Sequence, residues 1–300
     1  MSAILRRALV FVGTAYLTLL ALSYFVFPPF YFKPPRQESS PAALRTVIDT
    51  LTASAFLATG EPLEATGRDG TVLGLTVYAG TERGASTVII VPDRGQSAAG
   101  ALEQAAMAWL AGCVVFVLDP RGQGRSGDSL NTLGHREADD LLAVVDTIER
   151  RRLGESGITA WGIGSGAAVV VQASLRDARI TALVLDAPFA SLRERLRYDF
   201  SFAGLLPGFL VMLPVELALR GSSSFVPGFN PQATDIEHAC AQLEIPTLVL
   251  PGSDVPRAQI ERIVRALPAP IARQISLADR PEPSDPALRR SIKQFLNHRL

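Results

Sequence analysis

Short apolar runs that alternate with helical segments constrain the fold of this chain more than any other feature. The runs at 87–91 and 114–118 are apolar at almost every position, which is typical of parallel strands covered on both faces. Further strand-like runs follow at 158–161, 182–185, 247–250 and 271–277. Segments with helical spacing separate the runs, at 101–111, 136–151, 167–175, 259–266 and 286–297. This order predicts an α/β fold with a mostly parallel sheet and helices on both of its faces.

Two segments depart from this alternation. An Asp-Gly pair at 69–70 lies between two strand-like runs, which is typical of a hairpin turn, here at one edge of the sheet. Residues 198–227 are apolar and proline-bounded, which predicts a helical lid inserted above the sheet at about 197–230. Such a lid could cover a lipophilic pocket, contact a membrane or pack into the core, and the sequence leaves these three alternatives open.

The N-terminal region contains an uncharged run of 20 residues, from position 8 to position 27. A helix of this length spans the hydrocarbon core of a bilayer, which is roughly 30 Å thick. The run therefore predicts a transmembrane helix, with membrane lipid as its partner. A cleaved signal peptide is the alternative, but bulky aromatic residues and prolines occupy the place where small residues would mark a cleavage site.

The segment after this run is rich in aromatic residues and proline. Tyr31 and Phe32 belong to an aromatic cluster expected at the membrane interface, and the prolines should end the helix and stiffen its exit. Arg6 and Arg7 favour a cytoplasmic N-terminus, which places the main domain of this single-pass protein on the non-cytoplasmic side. We expect residues 8–27 alone to hold the domain at the membrane.

The chain is thus expected to have three parts. Residues 1–35 form the anchor and its proline-rich exit. Residues 36–60 form an amphipathic connecting helix, because apolar residues recur there at helical spacing. Residues 61–300 form the α/β domain with its lid, which is long enough to bury a sizeable core.

Composition argues against several functional classes. The formal net charge is zero, so the chain lacks the basic excess with which proteins bind nucleic acid. No spacing of cysteine and histidine resembles a metal site, and neither a metal nor a cofactor is predicted. The two cysteines, Cys113 and Cys240, are expected to be buried thiols, with a disulfide as the alternative.

Three motifs in the α/β domain carry a family resemblance. Residues 119–126 read Asp-Pro-Arg-Gly-Gln-Gly-Arg-Ser, and residues 185–189 read Leu-Asp-Ala-Pro-Phe after a strand. An Asn-Pro pair at 230–231 precedes the strand-like run at 247–250. With these motifs the chain resembles the α/β-hydrolase superfamily over residues 63–296, and most of all its membrane-anchored, esterase- or peptidase-like branch. The resemblance implies the α/β-hydrolase fold and a site with a nucleophile, a base, an acid and an oxyanion hole.

The resemblance also implies a nucleophilic serine at the centre of a G-x-S-x-G turn between a strand and a helix. The corresponding sequence is Gly162-Ile163-Gly164-Ser165-Gly166, so the outer glycines are present and the central residue is Gly164. We expect the backbone turn to be kept without its reactive hydroxyl. Ser165 follows one position later, where the family uses the backbone amide for its oxyanion hole.

The base and the acid of the family also lack clear counterparts. The family places its histidine in the loop that corresponds to 278–285, and this loop contains none. The histidines of the chain are His135, His238 and His298, which lie elsewhere in the predicted fold. Asp254 is a candidate relic of the acid, with no histidine to orient.

The oxyanion loop carries a further change. Where the family has a His-Gly pair, this chain has Pro92-Asp93, and we expect Asp93 to face the turn at Gly164. A carboxylate at that place would oppose the negative charge that develops on an oxyanion. The resemblance therefore implies the fold of a hydrolase with a degenerate catalytic triad.

Three functional hypotheses remain. The first is a catalytically inactive, membrane-anchored protein that acts in binding or scaffolding, with a small apolar ligand or a protein as its partner. The second is a serine hydrolase acting on esters or amides through a non-standard nucleophile, such as Ser165 or a lid serine at 222–224. The remote third is dinucleotide binding, because the glycines at 162–167 also satisfy G-x-G-x-x-A, with Asp186 as the ribose acid.

Overall fold

An eight-stranded sheet forms the centre of a computed structural model of the chain. The structure describes residues 3–35, 50–80, 86–154, 157–201, 207–226, 229–252, 255–268, 272–274 and 286–298. The strands are β1 (Gly60–Thr66), β2 (Val72–Tyr78), β3 (Thr87–Val91), β4 (Val114–Leu118), β5 (Ile158–Ile163), β6 (Ile180–Asp186), β7 (Thr247–Leu250) and β8 (Ala272–Gln274). Their order in the sheet is β1-β2-β4-β3-β5-β6-β7-β8.

The pairing of the strands confirms the mostly parallel sheet. Strands β3 to β8 are all parallel to one another, whereas β2 pairs with β1 and β4 in antiparallel fashion. The β1–β2 hairpin lies at one edge, as the Asp-Gly pair predicts. Its turn contains Gly70 at φ +82°, a left-handed conformation that glycine adopts without strain.

Helices cover both faces of this sheet. They are α1 (Ala3–Phe25), α2 (Phe27–Phe32), α3 (Thr50–Ala58), α4 (Leu102–Leu110), α5 (Glu137–Arg151), α6 (Gly166–Ser174), α7 (Leu192–Phe200), α8 (Gly208–Phe225), α9 (Ile236–Cys240), α10 (Arg257–Ala266) and α11 (Pro286–His298). Helices α5, α6, α9 and α10 share one apolar core, and α3, α4 and α11 share the core on the opposite face. Strand β3 is buried at all five positions, because both of its faces are covered.

Helix α1 is long and apolar enough to cross a membrane, and most of its side chains are exposed. It ends at Phe25, two residues before the predicted end of the run. The chain is helical again just after α1, because Pro28 and Pro29 lie in the first turn of the short helix α2, where a missing N–H costs little. Of the predicted connecting helix at 36–60, the structure describes only the part that contains α3.

The lid corresponds to α7 and α8, which pack against each other above the sheet. A separate apolar core joins them to the segment after α1: Tyr31 and Phe32 of α2 pack there with Leu192, Leu196 and Val215. The predicted helical insertion is therefore present, and one side of it contacts the N-terminal segment.

The turn after β4 braces this architecture. Asp119 accepts hydrogen bonds from the amides of Ala98 (2.6 Å) and Arg125 (3.1 Å). Gly124 has φ +48°, and a Cβ there would overlap the Asp119 carboxylate, so the second glycine of the motif is required sterically. Arg121 is only 2% exposed and binds both carboxylate oxygens of Asp140, at 2.7 and 2.6 Å. The motif at 119–126 therefore has a structural role.

Both cysteines are buried free thiols. Cys113 precedes β4 and Cys240 ends α9, on opposite faces of the sheet. This result confirms the expectation of buried thiols, and the alternative of a disulfide between them is wrong.

Candidate functional site

A tight turn between β5 and α6 forms the centre of the candidate site. Gly164 lies at its tip with φ +54°, and its N–H donates to the carbonyl of Asp186 (2.8 Å). A Cβ at Gly162 would overlap the carbonyl of Gly166, and a Cβ at Gly166 would overlap that of Val91. The turn thus needs glycine on both sides because the backbone segments are nearly in contact.

The side chain of Asp93 lies against the tip of this turn. A Cβ at Gly164 would overlap Cγ of Asp93 and would lie 2.5 Å from its Oδ1 and 2.8 Å from its Oδ2. The Oδ1 atom accepts hydrogen bonds from the backbone N–H of Ser165 and from that of Arg94, both at 2.8 Å. The structure therefore brings Gly164, Ser165 and Asp93 together, and the carboxylate fills the space where a residue with a side chain at 164 would extend.

The hydroxyl of Ser165 belongs to the same cluster. The Oγ atom of Ser165 accepts a hydrogen bond from the backbone N–H of Arg94 (2.8 Å). The same N–H also donates to Oδ1 of Asp93. Ser165 also lines the cavity beside the turn. The hydroxyl is thus present in the site, one position after the tip.

A second layer of charged residues surrounds Asp93. Arg195 of α7 lies 3.7 Å from Asp93 Oδ2 and 3.3 Å from Asp199 Oδ2, and its guanidinium stacks on Phe189. Burial alone would lower the pKa of Arg195, but the charges of Asp93 and Asp199 outweigh it and raise that pKa. Arg195 is therefore a permanent cation beside the Asp93 carboxylate.

The segment after α1 forms the roof of the site. The guanidinium of Arg94 stacks on the Tyr31 ring, 3.9 Å from its centre, and donates to the Tyr31 carbonyl (3.0 Å). The Tyr31 hydroxyl donates to Asp199 (3.0 Å), and burial together with that neighbouring carboxylate raises the Tyr31 pKa. The prediction that Tyr31 and Phe32 lie at the membrane interface is wrong, since both are buried in the protein, at 6% and 1% exposure.

These groups line a cleft whose enclosed space is about 30 Å³ and whose total empty space, with the open solvent at its mouth, is about 360 Å³. Its charged members are Asp93, Arg94 and Arg195. Half of its other members are aliphatic or phenylalanine side chains: Leu133, Ala168, Phe189, Leu192 and Ile236. The cavity thus combines an apolar wall with a charged end at the turn.

The remaining candidate residues lie apart from the cavity or outside the described residues. His135 packs edge-on against Phe229, and His238 is exposed on α9. His298 is the last residue of α11. Asp254 and the loop 278–285 are not among the described residues. Within the part of the chain that the structure describes, no histidine lines the cavity.

The hydrogen bonds of the lid serines also argue against a role as nucleophile. The hydroxyls of Ser222, Ser223 and Ser224 donate to carbonyls one helical turn earlier in α8, at 2.6, 3.3 and 3.3 Å. Such bonds occupy the hydroxyl proton within the helix itself.

The hypothesis of a dinucleotide site at the glycine turn finds little support. Asp186 accepts a hydrogen bond from Gln104 of α4 (3.1 Å), on the opposite face of the sheet from α6, so its carboxylate is not placed to bind a ribose at the glycine turn. Among the described residues, no group of three histidine, cysteine or carboxylate side chains could hold a metal ion.

The site residues that were not anticipated from the sequence include Tyr31, Phe189, Arg94 and Arg195. Phe189 belongs to the motif at 185–189, and Arg94 is next to Asp93 in the sequence. These two positions in the sequence are the only signals that could have indicated them. Tyr31 and Arg195 come from distant segments, and no local pattern marks them.

Comparison with known proteins identifies the fold to which this turn belongs. A family model for the alpha/beta hydrolase fold matches residues 98–212. The structure of the esterase Pf2001 from Pyrococcus furiosus is similar to this chain, with a TM-score of 0.63 and 17% sequence identity over 89% of this chain and 97% of that one. The structure of a hydrolase from Pseudomonas aeruginosa PA01 has a TM-score of 0.55 and 19% identity over 80% of this chain and 98% of that one.

A third solved structure, 2,6-dihydroxy-pseudo-oxynicotine hydrolase, has a TM-score of 0.60 and 14% identity over 82% of this chain and 70% of that one. No curated protein matches the chain in sequence. The strand order, the turn between β5 and α6 and these similarities together identify this chain as a protein of the α/β-hydrolase fold.

Proposed function

We propose that this chain is a membrane-anchored binding protein of the α/β-hydrolase fold that forms no acyl-enzyme at its elbow, the turn at 162–166. One observation carries the proposal: the Asp93 carboxylate occupies the space beside Gly164 and accepts hydrogen bonds from the amides of Ser165 and Arg94. A glycine cannot be acylated, so the tip of the turn offers no nucleophile.

Electrostatics at the turn supports the same proposal. In acyl transfer, preorganised N–H groups stabilise the negative oxygen of the tetrahedral intermediate. Here the amide of Ser165, the position the family uses for this purpose, is already bonded to a carboxylate at 2.8 Å. A second anion placed there would be repelled by Asp93, whose side chain is 21% exposed.

The chemistry of the cavity favours a small ligand with an apolar body. The space inside the cavity is about 30 Å³, enough for one or two water-sized groups, so a ligand would place only a small group inside it. Aliphatic and aromatic side chains form most of its wall. Arg195 and Asp93 at the charged end would orient a polar group of such a ligand.

The second candidate function is serine hydrolysis through Ser165. The similar solved structures are named esterases or hydrolases, and this observation favours catalysis. Ser165 lines the cavity, so its hydroxyl could meet a substrate. This function requires a base, which typically contributes ~10²- to 10⁴-fold, and Asp93 is the carboxylate nearest to the serine in the cluster described above.

A fluorophosphonate probe distinguishes the two functions. The full chain in detergent, the variant Ser165→Ala and the matched variant Ser191→Ala, which also lines the cavity, are treated with the probe and analysed by intact mass and peptide mapping. We expect no stoichiometric labelling of any of the three. Labelling that disappears only in Ser165→Ala, together with hydrolysis of acyl esters, would establish the serine hydrolase instead.

The anchoring part of the proposal rests on α1 and needs its own test. We expect the chain to stay in the membrane fraction after alkaline carbonate extraction, because an apolar span of this length resists it. An alkaline phosphatase joined to the C-terminus should be active if the main domain lies on the non-cytoplasmic side. Release by carbonate would contradict the anchor, and an inactive fusion would contradict only the side.

A further inference from the structure

The segment Tyr31–Pro34, which we call the strap, forms one side of the cleft beside the elbow. The enclosed space of the cleft is about 30 Å³, enough for one or two water-sized groups. Tyr31 is among the residues that line this space, and it is only 6% exposed. The apolar body of a ligand therefore fits inside only if part of the present wall moves.

The side chain of Tyr31 connects the elbow region to the lid. Its ring stacks on the guanidinium of Arg94, which is next in sequence to Asp93, with 3.9 Å between the guanidinium carbon and the ring centre. Its hydroxyl donates to Asp199 of α7 (3.0 Å). The ring thus covers the charged end of the cleft, where the polar group of a ligand would meet Asp93 and Arg195.

Separate contacts with a single loop hold the rest of the strap. The carbonyls at positions 32 and 34 accept hydrogen bonds from the backbone N–H of Asn131 (2.8 Å) and from the side-chain amide of Gln123 (3.2 Å). Lys33 pairs with Asp128, but both side chains are more than half exposed, so this pair contributes little. All three partners lie between β4 and α5, outside the strands. The strap can therefore leave without breaking any pairing of the sheet.

The packing of Phe32 makes the closed position the dominant one. Phe32 is 1% exposed and packs edge-on against Phe229, with 5.1 Å between the ring centres. Release of the strap would expose this ring and that of Tyr31 to water, which opposes release. We therefore expect the open state to be a minor population in the absence of a ligand.

Other parts of the wall are fixed more firmly. Leu133 lines the cleft at φ +57°, a conformation that residues with a side chain rarely adopt. The buried carboxylate of Glu137 holds it there, because it accepts hydrogen bonds from the backbone N–H groups of Thr132 (2.6 Å) and Gly134 (2.9 Å). The elbow is fixed by the close approach of its own backbone segments. The strap, by contrast, is joined to the domain by a few separate hydrogen bonds and two aromatic side chains.

We infer that the strap is the gate of the binding site: it closes the cleft in this structure, and its release admits the ligand. The inference rests on the binding function proposed above, since a gate serves a site that receives a ligand. Release would free the guanidinium of Arg94 and vacate the place of the Tyr31 ring. The open cleft would then have room for an apolar body, with Arg94, Arg195 and Asp93 facing its polar group.

A disulfide between the strap and the loop after β3 tests the gate in the full chain. The Cβ of Pro34 lies 3.5 Å from the Cβ that a residue at position 95 would carry, and disulfides need about 3.5–4.5 Å between these atoms. Oxidation of the double variant Pro34→Cys, Gly95→Cys should therefore lock the strap. Both native thiols are buried, and the two single variants measure the effect of each substitution alone.

Access to the cleft is measured at Ala168, which lines it from α6 and is 4% exposed. Ala168→Cys is made alone and together with the locking pair, and its reaction with N-phenylmaleimide is followed by peptide mapping. We expect the reaction to be about tenfold slower, or slower still, with the strap locked, because the reagent reaches position 168 only in the open state. Reduction of the disulfide should restore the rate. Leu175→Cys, at the exposed end of α6, is the matched control and should react equally fast in both backgrounds.

Tyr31→Phe tests the same gate without a disulfide. It keeps the ring and removes the hydrogen bond to the Asp199 carboxylate, so reaction at position 168 should be about tenfold faster. A cooperative urea transition shows that each variant is folded. An equal rate at 168 with the strap locked and free refutes the gate and assigns access to movement of the lid. Absence of reaction at 168 in every folded variant, Tyr31→Phe included, also refutes it.

Fluorophosphonate treatment of the locked and reduced proteins separates this inference from the proposed function. Labelling of Ser165 that occurs only with the strap free would keep the gate and overturn the binding protein in favour of a hydrolase. No labelling, together with an unchanged rate at position 168, would refute the gate and leave the binding function standing.

Discussion

Replacing Gly164 with serine should destabilise the domain, because the side chain of Asp93 already occupies the space. An ideal Cβ at position 164 lies 2.5 Å from Asp93 Oδ1, whereas non-bonded heavy atoms normally keep about 3.5 Å apart. The carboxylate would therefore have to move by about 1 Å. It would then lose at least one of its hydrogen bonds from the amides of Ser165 and Arg94.

Two costs combine in this variant. A non-glycine residue in the left-handed region, here at φ +54°, costs about 1 kcal/mol. A hydrogen bond to a charged group contributes about 1.5–3 kcal/mol, so losing one brings the total for Gly164→Ser to roughly 2.5–4 kcal/mol. Asp93→Ala should cost about 2 kcal/mol, since it removes the acceptor of partly buried amides. In the double variant the overlap is gone, and its cost should be about 2 kcal/mol less than the sum.

Urea unfolding in detergent, followed by the fluorescence of the buried Trp109 and Trp161, measures all three variants. Gly70→Ser is the matched control, because Gly70 has φ +82° with nothing within 4 Å of an added Cβ. It should show the backbone cost of about 1 kcal/mol alone. If the effects of Gly164→Ser and Asp93→Ala add within about 0.5 kcal/mol, the contact between them is not the cause and the reasoning is refuted.

Three further predictions concern the domain outside the elbow. Arg121→Ala should destabilise by roughly 3–5 kcal/mol in urea, because it leaves Asp140 and Glu137 buried without their cation; Arg68→Ala, whose pair with Asp139 is exposed, should cost less than about 1 kcal/mol. Neither cysteine should react with Ellman's reagent at pH 8 unless urea is added, since both thiols are buried and burial raises the pKa of Cys240 to about 12; fast native reaction would contradict this. Burial alone would raise the pKa of Asp69, but hydrogen bonds from Thr71 and Arg121 outweigh it and lower that pKa to about 2. The stabilisation from Asp69 is therefore complete above about pH 5 and is lost as the pH falls toward 2, so Asp69→Asn should narrow the difference in melting temperature between pH 5 and pH 3; an unchanged difference would exclude this role.

Local patterns in the sequence account for the sheet, because each strand carries its own signal. Strand β3 is buried throughout and reads as a continuous apolar run, and the Asp-Gly pair at 69–70 marks the turn between β1 and β2. The position of Asp93 next to Gly164 follows from a motif whose spacing is preserved. The first two features depend on residues that are neighbours in the sequence. The third depends on the backbone turn that the motif specifies.

The roof of the cavity could not be predicted in this way. Tyr31 and Arg94 stack although 63 positions separate them, and Arg195 reaches Asp93 from a helix of the lid. The aromatic residues after α1 have the composition of a membrane interface, and packing against Phe229 buries Phe32 in the protein instead. Such contacts arise from tertiary packing, to which neither hydrophobic periodicity nor motif spacing is sensitive.

The overlap between Asp93 and any side chain at position 164 also limits the order in which this site can change over evolutionary time. A serine at 164 would first appear in a chain that still carries the Asp93 carboxylate. That intermediate would be less stable and would gain no catalytic activity. Loss of Asp93 must therefore come before, or together with, a new residue at the tip. Positions 93 and 164 are therefore epistatic. A lineage that carries Asp93 and Gly164 does not reach an elbow with a serine through a single substitution at 164 without a loss of stability.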